Sequence, residues 1–179
     1  MLLSPTNNLV TDTMAQTFKW DTVSSAIDYR FQVKNSSGTT IIDVTQIAIS
    51  ASYTLNPGTY TWQVRAQNAT SNSAYFYRNI TIDTTAPAVS TPVSPLNGDS
   101  TQSPVNIVWS SSASAIGDSI FISTDSLFSS PLFYKGYTTN TSYTFTTATL
   151  GTYFWRLRSK DAANNWSGYS VYRKFKVIL

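Results

Sequence analysis

Apolar and polar residues alternate along several short stretches of this chain. In TYTWQVRA (59–66), Tyr60, Trp62, Val64 and Ala66 fall on one side of an extended backbone, and polar residues fall on the other. The same pattern recurs in TYFWRLRSK, DYRFQVK and NIVW. Segments rich in Asn, Gly, Ser and Pro separate these stretches about every ten residues, and no stretch has a helical period. The pattern therefore predicts an all-β chain built as sandwiches of about seven short strands each.

One long stretch of the sequence occurs twice. GTYTWQVRAQN at 58–68 reappears as GTYFWRLRSKD at 151–161. Four further pairs of segments match in the same order: LLSPTNN with PVSPLNGD, TFKW with NIVW, SYTL with SYTF, and RNITI with RKFKV. Self-similarity of this kind indicates a duplicated structural module.

The segment between the two copies, DTTAPAVSTP, has the composition of a linker. It contains Pro87 and Pro92, and Val89 is its only large apolar residue. We predict one β-sandwich over 1–84, a linker over 85–92 that its prolines hold extended, and a second β-sandwich over 93–179. The ends of the sequence fall at the edges of these domains, so we expect a longer parent protein with its export signal elsewhere.

The composition argues against an enzyme. The 179 residues include no Cys and no His, and all nine acidic residues are Asp. The commonest general base, the commonest metal ligand and thiolate nucleophiles are thus missing. Glycoside hydrolysis needs two nearby carboxylates, whereas Asp125 and Asp161 are expected about 20 Å apart. We predict no catalysis and no cofactor.

The net charge and the hydropathy of the sequence limit the classes of partner that we expect. The net charge is +3, and residues 88–179 carry seven basic against four acidic residues. That excess is too small and too scattered to predict nucleic-acid binding. No apolar run reaches the ~20 residues of a membrane span, so membrane insertion is not expected.

The duplicated segments resemble a known family. Trp20 and Trp109 on the second strand of each copy, together with LNPGTYTWQVRA, LGTYFWRLRSKDAANNWS and the final RKFKV, are similar to the fibronectin type III-like (immunoglobulin-like) β-sandwich repeats of bacterial surface and secreted proteins. The resemblance implies two such domains in tandem, strung head to tail. It also implies an extracellular or cell-surface location, with the neighbouring domains of the parent protein as partners and a cell-surface protein or a glycan as further candidates.

The second copy holds the candidate ligand-binding residues. Trp166 falls in a loop, where it could stack on a sugar ring or, as the alternative we favour, pack against the protein itself. Phe154 and Tyr169 are the other candidate aromatic contacts. Arg156 and Arg158 point outward beside Lys160, Lys174 and Lys176, forming either a contact surface for an anionic partner or a solvated face that discourages edge pairing.

A calcium site is the one metal hypothesis that the sequence allows. The resemblance implies that loops holding Asp118 and Asp161 face the linker and Asp83, and carboxylate oxygens suit Ca²⁺. Asp is also common in turns for its own hydrogen bonding, and this metal-free alternative is favoured. The leading hypothesis for function is a non-catalytic spacer or protein-interaction and adhesion unit. The alternative is a carbohydrate-binding accessory module of a secreted polysaccharide-acting protein.

Overall fold

The computed structural model describes residues 1–129 and 131–179, with the backbone alone over 131–135. All sixteen elements of the described residues are β-strands, which confirms the predicted all-β fold. The chain divides into two compact units, Met1–Thr84 and Thr85–Leu179, here called unit one and unit two. No helix among the described residues is long and apolar enough to cross a membrane.

Unit one packs a three-stranded sheet, in the order β1-β3-β6, on a five-stranded sheet, in the order β2-β8-β7-β4-β5. Its strands are β1 (Leu2–Ser4), β2 (Leu9–Thr11), β3 (Ala15–Trp20), β4 (Asp28–Asn35), β5 (Thr40–Gln46), β6 (Ser50–Thr54), β7 (Gly58–Gln67) and β8 (Phe76–Ile82).

Unit two repeats this topology, with sheets in the orders β9-β11-β14 and β10-β16-β15-β12-β13. Its strands are β9 (Thr91–Ser94), β10 (Asp99–Thr101), β11 (Val105–Ser110), β12 (Gly117–Ser123), β13 (Pro131–Thr138), β14 (Ser142–Phe145), β15 (Gly151–Lys160) and β16 (Arg173–Val177).

The described residues form eight strands in each unit rather than about seven, because the first strand is broken in two. β1 pairs antiparallel with β3 in one sheet, and β2 pairs parallel with β8 in the other. Pro5 stands at the break, where a residue without an N–H cannot continue a ladder. In unit two, Pro95 and Gly98, whose φ is 96°, occupy the same break between β9 and β10. The chain thereby crosses from one sheet to the other within a few residues.

The inward positions of the strands build one core per unit. The four tryptophans predicted to be core, Trp20, Trp62, Trp109 and Trp155, are all at most 2% exposed, which confirms that prediction. Trp20 stacks on Phe31 with the ring centroids 5.7 Å apart. Burial of large side chains at about 25 cal/mol per Å² of apolar surface is the main stabilising contribution in each sandwich.

Two contacts explain why the same segments recur in both copies. The Arg78 guanidinium donates to the carbonyl of Pro5 at 2.7 Å, and Arg173 donates to the carbonyl of Val93 at 2.6 Å, so each arginine ties the last strand to the sheet-crossing segment. The hydroxyl of Tyr60 donates to the carbonyl of Asn56. The hydroxyl of Tyr153 makes the same bond, four residues back along the chain, to Thr149. These bonds resemble the tyrosine corner of immunoglobulin-like sandwiches.

The segment predicted as a linker, 85–92, belongs to the compact unit two. β9 begins at Thr91, and Ser90 is buried against β12 and β15. The boundary between the two compact units falls between Thr84 and Thr85.

Candidate binding surface

Strand β15 presents a cationic and aromatic face. Its burial alternates strictly, with Tyr153, Trp155 and Leu157 inside and the intervening residues half-exposed. The outward residues are Phe154, Arg156, Arg158 and Lys160, as the alternation predicts. Lys174 of β16 stands directly opposite Phe154 and adds a further exposed cation beside this face.

The segment after β15 folds back along the same strand. Trp166 forms a bridge with Lys160, and the Ser167 N–H donates to the Ser159 carbonyl at 2.9 Å. The Ser167 hydroxyl in turn accepts the Ser159 N–H at 2.8 Å. Ser170 makes the same pair of bonds with Leu157. Serine hydroxyls here take the place of a neighbouring strand's carbonyls, so the backbone of β15 stays satisfied.

A spacing of three residues sets which side chains of this segment reach the face. Ser167 and Ser170 bond to β15, while Trp166, Tyr169 and Tyr172 lie over its outward side chains. A period of three is that of an extended polyproline-type backbone.

The rings and cations interleave into what we call the aromatic–arginine ladder. The Arg156 guanidinium carbon lies 4.1 Å from the ring centre of Phe128 and 3.7 Å from that of Tyr169. The Arg158 guanidinium carbon lies 4.2 Å from the Trp166 ring, and the Lys160 ammonium lies 5.6 Å from the same ring. Each distance is within the range of an attractive cation–π contact.

Further rings complete the ladder at its edges. Phe121 meets Tyr169 edge-on at 5.2 Å, and Phe154 meets Tyr172 at 5.7 Å.

Phe128 is buried and held with φ at 56°, a conformation that aromatic residues rarely adopt. Its turn is capped by Asp125, whose carboxylate accepts the hydroxyl and N–H of Ser129 and the N–H of Leu127; these bonds lower the pKa of Asp125.

No carboxylate of the described residues forms an ion pair with the cations of the ladder. Among the residues that the structure describes, both ion pairs lie in unit one. The Nε atoms of Arg156 and Arg158 are buried without a hydrogen-bond partner. The four carboxylates of unit two instead accept hydrogen bonds from nearby uncharged donors. They belong to Asp99, Asp118, Asp125 and Asp161.

Unit one has a different surface at the equivalent strand. Gln63 and Arg65 of β7 occupy the positions of Arg156 and Arg158, and Arg65 meets a single ring, Tyr75, at 5.1 Å. On the same sheet the Arg30 guanidinium forms two hydrogen bonds with Asp43, at 2.8 and 2.6 Å. The hydrogen bonds from Arg30 lower the pKa of Asp43 to about 2, and the same bond raises the pKa of Arg30.

Asp118 is not in a loop as predicted but within β12, where it is fully buried. One carboxylate oxygen accepts the hydroxyls of Ser90 and Ser159 at 2.6 and 2.7 Å. The other accepts the Trp109 indole N–H at 3.0 Å and the Ser111 hydroxyl. With its oxygens engaged by four donors, the carboxylate fixes the leading segment of unit two to the sandwich.

The other predicted calcium ligands also have protein partners. Asp161 accepts the Asn165 backbone and side-chain N–H groups and so caps the turn that starts the folded-back segment. Asp83 follows β8, and its N–H donates to Thr11. No group of three or more carboxylates in the described part of the chain could hold a metal ion. The calcium site remains a prediction.

The sequence predictions named Phe154, Arg156, Arg158, Trp166 and Tyr169, and the structure places all five on one face of unit two. They missed Phe121, Phe128 and Tyr172. A signal for the last was present, because aromatic residues recur every third position in WSGYSVY.

Comparison with known proteins supports the fold. No family model matches the chain, and no curated protein matches it significantly. Among solved structures, the fibronectin(III)-like modules of Clostridium thermocellum CbhA match with a TM-score of 0.57 and 12% identity, over 99% of this chain and 93% of that one. The FN1–FN3 domains of chicken CNTN1 match with a TM-score of 0.61 and 13% identity, over 99% of this chain and 66% of that one. The chain thus has the fold of two tandem fibronectin type III-like domains.

Proposed function

We propose that this chain is a non-catalytic module pair of a secreted or cell-surface protein, which spaces neighbouring domains and contacts a partner protein. The observation that carries the proposal is the pairing of two self-contained sandwiches, each with its own core, with an outward cationic and aromatic face on unit two only. A fold shared by many unrelated functions gives no activity by itself, so the surface has to carry the argument.

Spacing can be measured directly because the chain has no cysteine of its own. Exposed Ser36 in unit one and exposed Thr146 in unit two can be changed to Cys and spin-labelled. A spacer should give one narrow distribution of the distance between the two spin labels, measured by double electron–electron resonance. Pro87→Gly serves as the matched control and should broaden it. A broad distribution in the unmodified chain would contradict a spacing role.

The proposed location has its own test. Limited proteolysis of intact source cells should release peptides of this chain before any cytosolic marker protein. Release only after lysis would contradict a secreted or surface location.

Carbohydrate binding is the second candidate, favoured by the row of Trp166, Tyr169 and Tyr172 on one face. A sugar stacks on an open ring face. The guanidinium groups of Arg158 and Arg156 already cover one face of Trp166 and of Tyr169. Protein contact is therefore the better-supported role for this surface.

A further inference from the structure

We propose that the aromatic–arginine ladder of unit two binds an acidic, extended segment of a partner protein. This inference deepens the interaction role proposed above and rests on it. The first argument is charge. Unit two carries a surplus of positive charge, and its own four carboxylates are engaged by uncharged donors, so the cations of the ladder are left available to a partner of negative charge.

The second argument is preorganisation. Arg156 lies over the rings of both Phe128 and Tyr169, and these two contacts restrict its side chain. The N–H groups of a guanidinium lie in its plane, in the fork that matches a carboxylate. A guanidinium group fixed in this way loses little side-chain freedom when it binds an anion, so more of the interaction appears as affinity.

The third argument is that the fold does not require the ladder. Unit one builds the same sandwich with Thr61 and Gln63 at the positions of Phe154 and Arg156. Phe128 is held with positive φ, a strained backbone that brings its ring against Arg156. Strain of this kind is found where the surrounding structure serves a binding or switching role.

A protein fits this surface better than a polysaccharide. Large apolar groups stand exposed around the ladder: Leu127 at 81%, Val171 at 86%, and Tyr172 at 45%. An open groove of about 600 Å³ runs from the ladder between Tyr169–Arg173 and Val89–Pro92. Tyr, Trp and Arg are the residues that dominate protein–protein binding energy, and apolar side chains of a partner can fill such a groove.

The spacing of the cations suggests the probe. Arg156, Arg158 and Lys160 lie every second residue along β15, about 7 Å apart, the same as alternate side chains of an extended peptide. We would therefore use a fluorescein-labelled peptide of about eight residues that alternates Glu with Leu, which spans the roughly 20 Å of this face. The same peptide with Gln in place of Glu is its control.

Fluorescence anisotropy with the full chain should show saturable binding to the Glu peptide that weakens as salt increases, and no binding to the Gln peptide. Arg156→Gln should weaken binding about tenfold or more. Arg158→Lys keeps the charge and tests the fork; it should weaken binding several-fold while the unfolding temperature stays near that of the parent. Arg65→Gln in unit one is the matched control and should change nothing.

Three results would overturn the proposal. One is the absence of salt-dependent binding to the Glu peptide. Another is binding that Arg156→Gln and Arg65→Gln reduce equally, since that would reflect net charge alone. The third is tighter, ladder-dependent binding of heparin or polygalacturonate than of the peptide, which would identify the surface as a glycan site. None of these results alters the distance measurement, so failure here is distinguishable from failure of the spacing role.

Discussion

Asp118→Ala is expected to destabilise unit two and leave unit one unchanged. Trp109 is 2% exposed, so its indole N–H would lose its acceptor without gaining water, at a cost of about 1–3 kcal/mol. The hydroxyls of Ser90 and Ser159 lie 2.9 Å apart, so one can donate to the other, and one further bond to a charged group, worth about 1.5–3 kcal/mol, is lost. The carboxylate no longer has to be desolvated, which offsets part of this sum. We expect a net loss of about 3 kcal/mol.

Differential scanning calorimetry of the full chain should report this loss. For a domain of this size, 3 kcal/mol corresponds to a fall in Tm of about 12–24 °C. Only the transition of unit two should move. Asp118→Asn keeps one acceptor oxygen and should give a smaller fall. Hydrogen exchange at the Ser90 amide should also speed up, because its acceptor, the Ser159 hydroxyl, loses its fixed orientation.

Tyr29→Phe is the matched control, since Tyr29 occupies in β4 the position of Asp118 in β12. Its hydroxyl accepts the Val23 N–H at 2.8 Å, so the change should cost unit one about 1 kcal/mol and leave unit two alone. If Asp118→Ala unfolds within about 2 °C of the parent, the four hydrogen bonds are worth no more than the desolvation they require, and the reasoning is wrong.

Three further predictions follow from single contacts. Arg30 lowers the pKa of Asp43 to about 2, below the value of about 4 in the unfolded chain. Unit one should therefore have a stabilising contribution above pH 4 that is lost as the pH falls to 2. Asp43→Asn should remove this part of the pH dependence when unfolding is measured as a function of pH. Arg78→Ala should destabilise unit one, and Arg173→Ala should destabilise unit two, by about 1–3 kcal/mol each, because carbonyls of the sheet-crossing segment lose a charged donor. In calorimetry each variant should lower only the Tm of its own unit. Gly117→Ala would place a Cβ 2.5 Å from the Thr138 carbonyl oxygen, so β13 must move away, at a cost of about 1–3 kcal/mol. Unchanged amide chemical shifts in NMR spectra across β12 and β13 would refute this.

The strands and cores followed from the sequence because their signal is local. Alternation along β7 and β15 fixes which residues are buried, and the four core tryptophans needed no knowledge of distant contacts. The resemblance gave the fold, and the structural comparisons support it.

The ladder and Asp118 were predicted less well because both depend on contacts between distant residues. Asp is rare inside strands, so Asp118 looks like a loop residue until Ser90 and Ser159, 69 positions apart, are seen to meet around it. The folded-back segment has neither strand nor helix periodicity. Its period of three is visible only once Ser167 and Ser170 are known to bond to β15.

The duplication separates what the fold requires from what one copy has added. Features present in both units, such as Arg78 with Arg173 and the two tyrosine corners, hold the sheets together and explain why those segments recur. Features present in one unit cannot be required by a sandwich that the other unit builds without them. The stacked arginines of β15 belong to this second group. The Asp118 network is also confined to unit two, but it fixes the leading segment of that unit and therefore contributes to its stability. We therefore expect variants of the shared features to affect stability alone, and variants of the ladder to affect recognition.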